Sequence, residues 1–164
     1  MIVRQASPAD HDAIDELIAA AFDGGEAELE IVHAIRSLGI ALPELELLAE
    51  DDGAVIGHVL LSEGDVGGRG VPAIAPLSVR PDRQRGGVGS RLMVEVLALA
   101  DAQAWPLVAL LGHPDYYPRF GFEPGRSHGV LYAPVDTPAF MVRRLRAYDA
   151  SLRGPFRFGW EPAS

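Results

Sequence analysis

The sequence predicts a mixed α/β fold. An apolar, β-branched run at residues 74–79 leads through a short glycine-rich loop into a helix, and a second apolar run follows at residues 107–111. Two strands joined through a helix lie parallel, because the crossover returns the chain to the same end of the sheet. Upstream, residues 45–50 and 55–62 are strand-like and flank Asp51-Asp52-Gly53, a hairpin turn. Two helical segments precede that hairpin. One sheet holding a parallel pair and an antiparallel hairpin, with helices before and within it, is of the mixed α/β class.

Each element has a local reason. Residues 2–5 read as a first strand rather than a leader peptide. Ser7-Pro8-Ala9-Asp10 opens a helix: Ser7 suits the cap, Pro8 the first helical position and Asp10 the positive end. Ile14, Leu17, Ile18, Ala21 and Phe22 form its buried stripe, and Gly24-Gly25 breaks it. A second helix runs from about residue 26 to 38, with Leu29, Val32 and Ile35 inward and Gly39 as its end signal. Residues 63–72 are glycine-rich and read as a loop leading into the central strand at Ile74. Pro81 ends that strand, since proline cannot donate to a ladder. Pro76 within it is consistent with a bulge, and equally with an edge strand. Val88, Leu92, Val96 and Leu99 recur at helical spacing, so the next helix begins near Gly87 and packs that face inward. Residues 116–120 allow at most a short helix. Residues 130–132 and 139–144 are further strands, and the alternation of Phe156, Phe158 and Trp160 suggests an edge strand. No internal repeat, low-complexity tract or linker interrupts the chain.

Composition bounds the function. With 164 residues, 48% of them hydrophobic, the chain can bury a sizeable core as one domain. No run reaches the roughly 18 apolar residues of a membrane span. Cysteine is absent, which removes disulfides, thiolate metal sites and thiol catalysis and fits a cytoplasmic location. The net charge is −9 and all 14 basic residues are arginines. That balance argues against nucleic-acid and anionic-membrane partners. It suits a cationic substrate, or simply keeps the protein soluble. His11, His33, His58 and His128 show no metal-ligand spacing and read as incidental, so no metal is expected.

The informative stretch is Gln84-Arg85-Gly86-Gly87-Val88-Gly89-Ser90. Glycines let the backbone approach a ligand and take positive φ. The first helical turn leaves N–H groups unpaired and carries a partial positive charge. Together these make an anion site suited to phosphate or diphosphate. A plain structural turn would use the same glycines. A Walker loop needs lysine, which the chain lacks. A dinucleotide fingerprint needs a third glycine and a place after the first strand, and a nucleophile elbow needs Gly-x-Ser-x-Gly; none of these frames fits.

Two motifs in order resemble the GNAT family of N-acetyltransferases. Val79-Arg80-Pro81 followed by Gln84-Arg85-Gly86-Gly87-Val88-Gly89 is similar to that family's acetyl-coenzyme A loop. Downstream, Tyr117-Pro118-Arg119-Phe120-Gly121-Phe122 places a tyrosine four residues before Gly-Phe, as the family does. The resemblance covers roughly residues 2–145. It departs from the commonest pattern in having a short, proline-interrupted Gly112-His113-Pro114-Asp115-Tyr116-Tyr117 segment, as in a subset of the family, in place of a longer helix bearing an asparagine.

The resemblance implies a mixed, mostly antiparallel central sheet with a parallel, splayed central strand pair and helices on both faces. It implies a family domain over residues 1–145, with residues 146–164 as an extension packing on it. Acetyl-coenzyme A is the implied co-substrate, held by the Gln84–Ser90 loop (Gln84, Arg85, Gly86, Gly87, Val88, Gly89, Ser90), by backbone groups of Leu77 and Val79, and by Arg83, Arg85 or Arg91 on other phosphates. Tyr117 is the implied general acid, with Tyr116 expected to point elsewhere as an ordinary aromatic. The implied acceptor is a primary amine on a small molecule or peptide, reached by direct transfer. For the base, Glu63 and His113 are candidates, and Glu26 and Glu28 are candidates for holding a cationic acceptor; each also has a simple surface or structural explanation. The alternative function is a coenzyme A- or nucleotide-binding sensor without catalysis, and a purely structural domain is the remaining reading.

Overall fold

The computed structural model describes residues 1–162. The chain opens with β1 (Ile2–Gln5), a 3-10 turn at Pro8–Asp10, α1 (His11–Ala21) and α2 (Glu26–Leu38). It continues with β2 (Ala41–Asp51), β3 (Ala54–Val66), β4 (Arg69–Val79) and α3 (Val88–Ala102). β5 (Leu107–Leu111), a 3-10 turn at Tyr117–Phe120, and the short strands β6 (Glu123–Pro124), β7 (Val130–Tyr132), β8 (Phe140–Arg144) and β9 (Gly154–Phe158) complete it. Among the described residues these strands form one nine-stranded sheet in the order β1-β2-β3-β4-β5-β8-β6, with β9 joined to β3 and β7. Most pairings are antiparallel; β4–β5 and β7–β9 are parallel. The mixed, mostly antiparallel fold expected from the sequence is the fold observed.

Strand alternation divides the core between the two faces of the sheet. Val59 and Leu61 of β3 pack with Leu92, Met93 and Val96 of α3. Leu60, between them, faces the other way and packs with Ile14 and Ile18 of α1 and Val32 and Ile35 of α2. Each such fully buried aliphatic side chain contributes about 1.5–3 kcal/mol. Further along the sheet, Leu107 and Ala109 of β5 join Phe140, Phe156 and Phe158 in a third cluster.

The differences from expectation have physical causes. Residues 63–72 are not a loop: β3 and β4 run through them as a hairpin, and only Gly67 and Gly68, both at positive φ, form the turn. The other glycines sit within paired strands, which composition alone does not reveal. β9 is not an edge strand, because it pairs antiparallel with β3 on one side and parallel with β7 on the other. On α3, Leu99 is 38% exposed. The buried face instead turns through Leu97 and Ala100, alongside Val88, Leu92, Met93 and Val96. His58 is not incidental either. It is wholly buried, and one ring nitrogen lies 2.9 Å from the Glu46 carboxylate, which also receives Arg36 at 3.3 Å. Arg36 in turn reaches Asp15 of α1 at 3.2 Å, so the network ties α1 and α2 to β2 and β3.

Candidate active site

The loop after β4 is fixed before any ligand is considered. Gln84 donates from its side-chain amide to the Val79 carbonyl at 3.0 Å, closing the turn onto the end of the strand. Arg83 pairs with Asp51 at 2.9 Å, tying the loop to the β2–β3 turn. Arg85 and Gly87 take φ of 64° and 88° on either side of Gly86. From Arg85 to Ser90 the main-chain N–H groups find no acceptor among the described residues; the first bond of the helix in this region is Arg91 N–H to Gly87 O, 3.0 Å. Alternating handedness next to a helix start gathers such N–H groups into a concave anion-binding surface. Gly89 lies at its rim. A Cβ there would stand 3.3 Å from the Tyr116 hydroxyl and 3.5 Å from Val79, so any side chain would enter the space between them.

Beside the loop the sheet opens. β4 and β5 pair only at Ala73–Ala109 and Ile74–Leu110, although β4 continues to Val79. On its other side β4 takes three steps, Ile74 to Leu77, while β3 takes two, Leu61 to Val59. Ala75 and Pro76 therefore form a bulge, and Pro76 has no N–H to offer a ladder. Two cavities flank the opening. The larger, about 750 Å³, is lined by Leu77, Val79, Arg83, Arg85, Gly89 and Tyr116 among others, Gln84, Gly87 and Ser90 included. The smaller, about 320 Å³, lies among Ala75, Pro76, Leu110, Gly112 and Tyr117. Phe22, Leu77 and His113 line both.

The adjacent tyrosines diverge, one to each cavity. Tyr117 packs edge-on against Phe122, ring centres 5.9 Å apart, and lines the smaller cavity. Burial pushes its phenol up to about 12, with the neighbouring Tyr116 adding to the effect, so the hydroxyl keeps its proton at neutral pH. Tyr116 does not point away as an ordinary aromatic. Its hydroxyl lies beside Gly89, and its ring lies under the Arg119 guanidinium at 4.4 Å, while Arg119 Nε donates to the Tyr116 carbonyl at 2.8 Å. Both rings sit at the entry to one 3-10 turn, where successive side chains leave in different directions.

Other anticipated residues separate similarly. His113 stands where the cavities meet. Glu63 is exposed on β3 and lines neither cavity. Glu28 lines the smaller cavity, whereas Glu26 faces solvent. Arg91 pairs with Glu95 one helical turn on and is not part of the larger cavity's wall. Gly86 and Val88 shape the loop rather than line it, Val88 being buried under the sheet. Phe22, Arg119, Phe158 and Trp160 also line the two cavities, though the sequence marked none of them as a site residue: Phe22 read as part of the buried stripe of α1 but is 37% exposed, Arg119 stood within the tyrosine motif, and Phe158 and Trp160 read as strand residues. Among the described residues no cluster of His, Asp or Glu could hold a metal ion.

Compared with known proteins, residues 43–124 match the acetyltransferase (GNAT) domain. The uncharacterized N-acetyltransferase YjhQ of Escherichia coli K12 is 34% identical over 160 residues, covering 90% of this chain and 86% of its own length. The crystal structure of YhbS, a GNAT family N-acetyltransferase from Escherichia coli in complex with CoA, superposes with a TM-score of 0.86 at 33% identity, covering 94% of this chain and 87% of that one. A GNAT family acetyltransferase from Brucella melitensis in complex with acetyl-CoA gives 0.79 at 29% identity, covering 96% of this chain and 94% of its own. Matched by the family model over half its length and by a full-length relative above 30% identity, the chain belongs to the GNAT family of N-acetyltransferases.

Proposed function

We propose that this enzyme moves the acetyl group of acetyl-CoA directly to a primary amine, with the co-substrate in the larger cavity and the acceptor in the smaller one. The observation that carries this reading is the opening of β4 from β5 beside a loop of unpaired N–H groups. The residues present fit the co-substrate. Main-chain N–H groups of Arg85–Ser90 suit its diphosphate, Arg83, Arg85 and Arg119 line the same wall, and the space over Gly89 is one that any Cβ would fill.

Acetyl-CoA supplies an acetyl group activated as a thioester. The protein does the rest. Beyond the bulge, backbone groups of Leu77 and Val79 orient the arm of the co-substrate, and an N–H there polarises the thioester oxygen as an oxyanion hole does. Phe22 and Leu77, shared by both cavities, keep water from the junction. A C–N bond forms and the C–S bond breaks. Tyr117 gives its phenolic proton to the departing sulfur, and the proton lost by the amine, relayed through His113 or water, restores the phenol. Burial raises the Tyr117 phenol to about 12, so it carries its proton at neutral pH and can donate it when the thiolate departs. The direct test is release of free thiol from acetyl-CoA in the presence of a panel of amines. Amine-dependent release supports the reading. Binding of acetyl-CoA with no amine-dependent release from any member of the panel would leave a binding protein instead.

A further inference from the structure

We infer that the acceptor is a compact monoamine with an apolar body, seated in the smaller cavity, where its ammonium pairs with Glu28 and passes one proton through that carboxylate to water, leaving the neutral amine that attacks the thioester. The inference rests on the acetyl-transfer reading and adds the chemical class of the acceptor. Charge is divided sharply between the two cavities. Arg83, Arg85 and Arg119 line the larger, and no carboxylate does. Glu28 lines the smaller, and no arginine does.

Glu28 makes no hydrogen bond or ion pair among the described residues. The basic residues of its own helix are committed elsewhere, His33 to Asp15 and Arg36 to Asp15 and Glu46. A carboxylate on the first turn of α2 is favoured by the helix dipole, and that would account equally for Glu26 and Glu28. What separates them is placement: Glu26 faces solvent, whereas Glu28 is half-buried on the cavity wall. His113 and Tyr117 line the same cavity, but Glu28 bonds to neither, so a cation carried by the ligand supplies the partner it lacks.

The remaining walls set the rest of the molecule. Phe22, Ile31, Phe158 and Trp160 surround the cavity with apolar surface, and Phe158 and Trp160 stack at 5.1 Å between ring centres. A volume of about 320 Å³ equals the share of roughly ten waters in the liquid, enough for a small aryl or branched alkyl amine. It is too small for an aminoglycoside. A polyamine would bury a second ammonium against apolar walls without a partner. An amino acid would bring a carboxylate to a wall that has no arginine and already carries Glu28.

The test compares initial rates of thiol release with 2-phenylethylamine, phenylalanine, spermidine and kanamycin, and adds calorimetric binding of 2-phenylethylamine to the CoA-bound protein. The expected result is a kcat/KM at least tenfold higher for 2-phenylethylamine than for the other three. Glu28→Gln should raise its KM and weaken its calorimetric binding tenfold or more, with acetyl-CoA affinity unchanged, and Glu28→Asp should retain more of both. Efficient turnover of phenylalanine, spermidine or kanamycin in preference to 2-phenylethylamine would overturn the acceptor class while leaving acetyl transfer standing. So would a Glu28→Gln variant equal to the parent protein. No calorimetric binding of acetyl-CoA, with no thiol release from any amine, would remove the acetyl-transfer reading and this inference with it.

Discussion

Tyr116 and Tyr117 are neighbours in sequence with different surroundings, and the proposed chemistry depends on which one holds the transferred proton. Tyr117 is half-buried at the cavity next to the strand opening, and Tyr116 lies over the loop beneath Arg119. Tyr117→Phe removes only a hydroxyl, so kcat should fall by about 10²–10⁴-fold while acetyl-CoA affinity holds. Tyr116→Phe should leave kcat within a fewfold and act, if at all, on acetyl-CoA affinity. Single-turnover rates combined with calorimetry separate these outcomes, and equal behaviour of the two variants would refute the assignment. The pH dependence follows from burial. The Tyr117 phenol is raised to about 12 from an ordinary value near 10. The folded protein therefore retains that proton where the unfolded chain loses it. The associated stability is present below pH 10 and is lost as pH rises towards 12. Tyr132 is raised to about 12 as well, by burial and by Glu161. Ultraviolet titration should thus show late-titrating phenol from these two residues, and Tyr117→Phe should diminish it.

At the scale of elements, most strands and helices were legible because periodicity is local. The loop was legible because glycines at a helix start have few physical uses. The hairpin at residues 63–72 was not, since its glycines report on turn and strand alike, and only pairing with Val71 and Pro72 shows that Gly64 and Glu63 lie in a ladder. The smaller cavity was largely illegible: Phe22, Glu28, Pro76 and Trp160 meet only after α1, α2, β4 and the segment after β9 have packed. The same holds for the polar tie beneath α1 and α2. Burial by itself would raise the Glu46 carboxyl, but the His58 hydrogen bond and the Arg36 charge hold it below the ordinary range. Burial lowers His58 despite Glu46, so the ring stays neutral and donates to the carboxylate. Glu46→Ala should cost about 3–5 kcal/mol by urea unfolding, because it strips the partner from Arg36 and His58 together. A histidine depressed in the folded state contributes stability above its ordinary pKa, near 6.5, and that contribution declines as pH falls below it. Thermal stability should therefore drop between pH 7 and 5, and less steeply in His58→Gln. An equal slope in the two proteins would contradict the neutral, buried assignment.

Over the whole molecule, a net charge of −9 coexists with a cavity wall carrying Arg83, Arg85 and Arg119. An acidic surface discourages nucleic acid, while three local guanidiniums still favour a small polyphosphate. Duplex DNA and RNA should show no complex in mobility-shift assays at low salt, and a tight, salt-sensitive complex would contradict this charge division. No helix among the described residues is long and apolar enough to cross a membrane. The central claim is that acetyl-CoA lies over the loop between β4 and α3 and runs into the gap between β4 and β5. Gly89 is the position that tests this most directly, because a side chain there meets the partly buried Tyr116, Val79 and Leu77 on the cavity wall. The deciding measurement is calorimetry of acetyl-CoA with the parent protein and with Gly89→Val, alongside thermal unfolding of both. The account predicts saturable one-site binding to the parent, at least tenfold weaker binding to the variant, and closely similar unfolding temperatures; equal affinity in two folded proteins would contradict it.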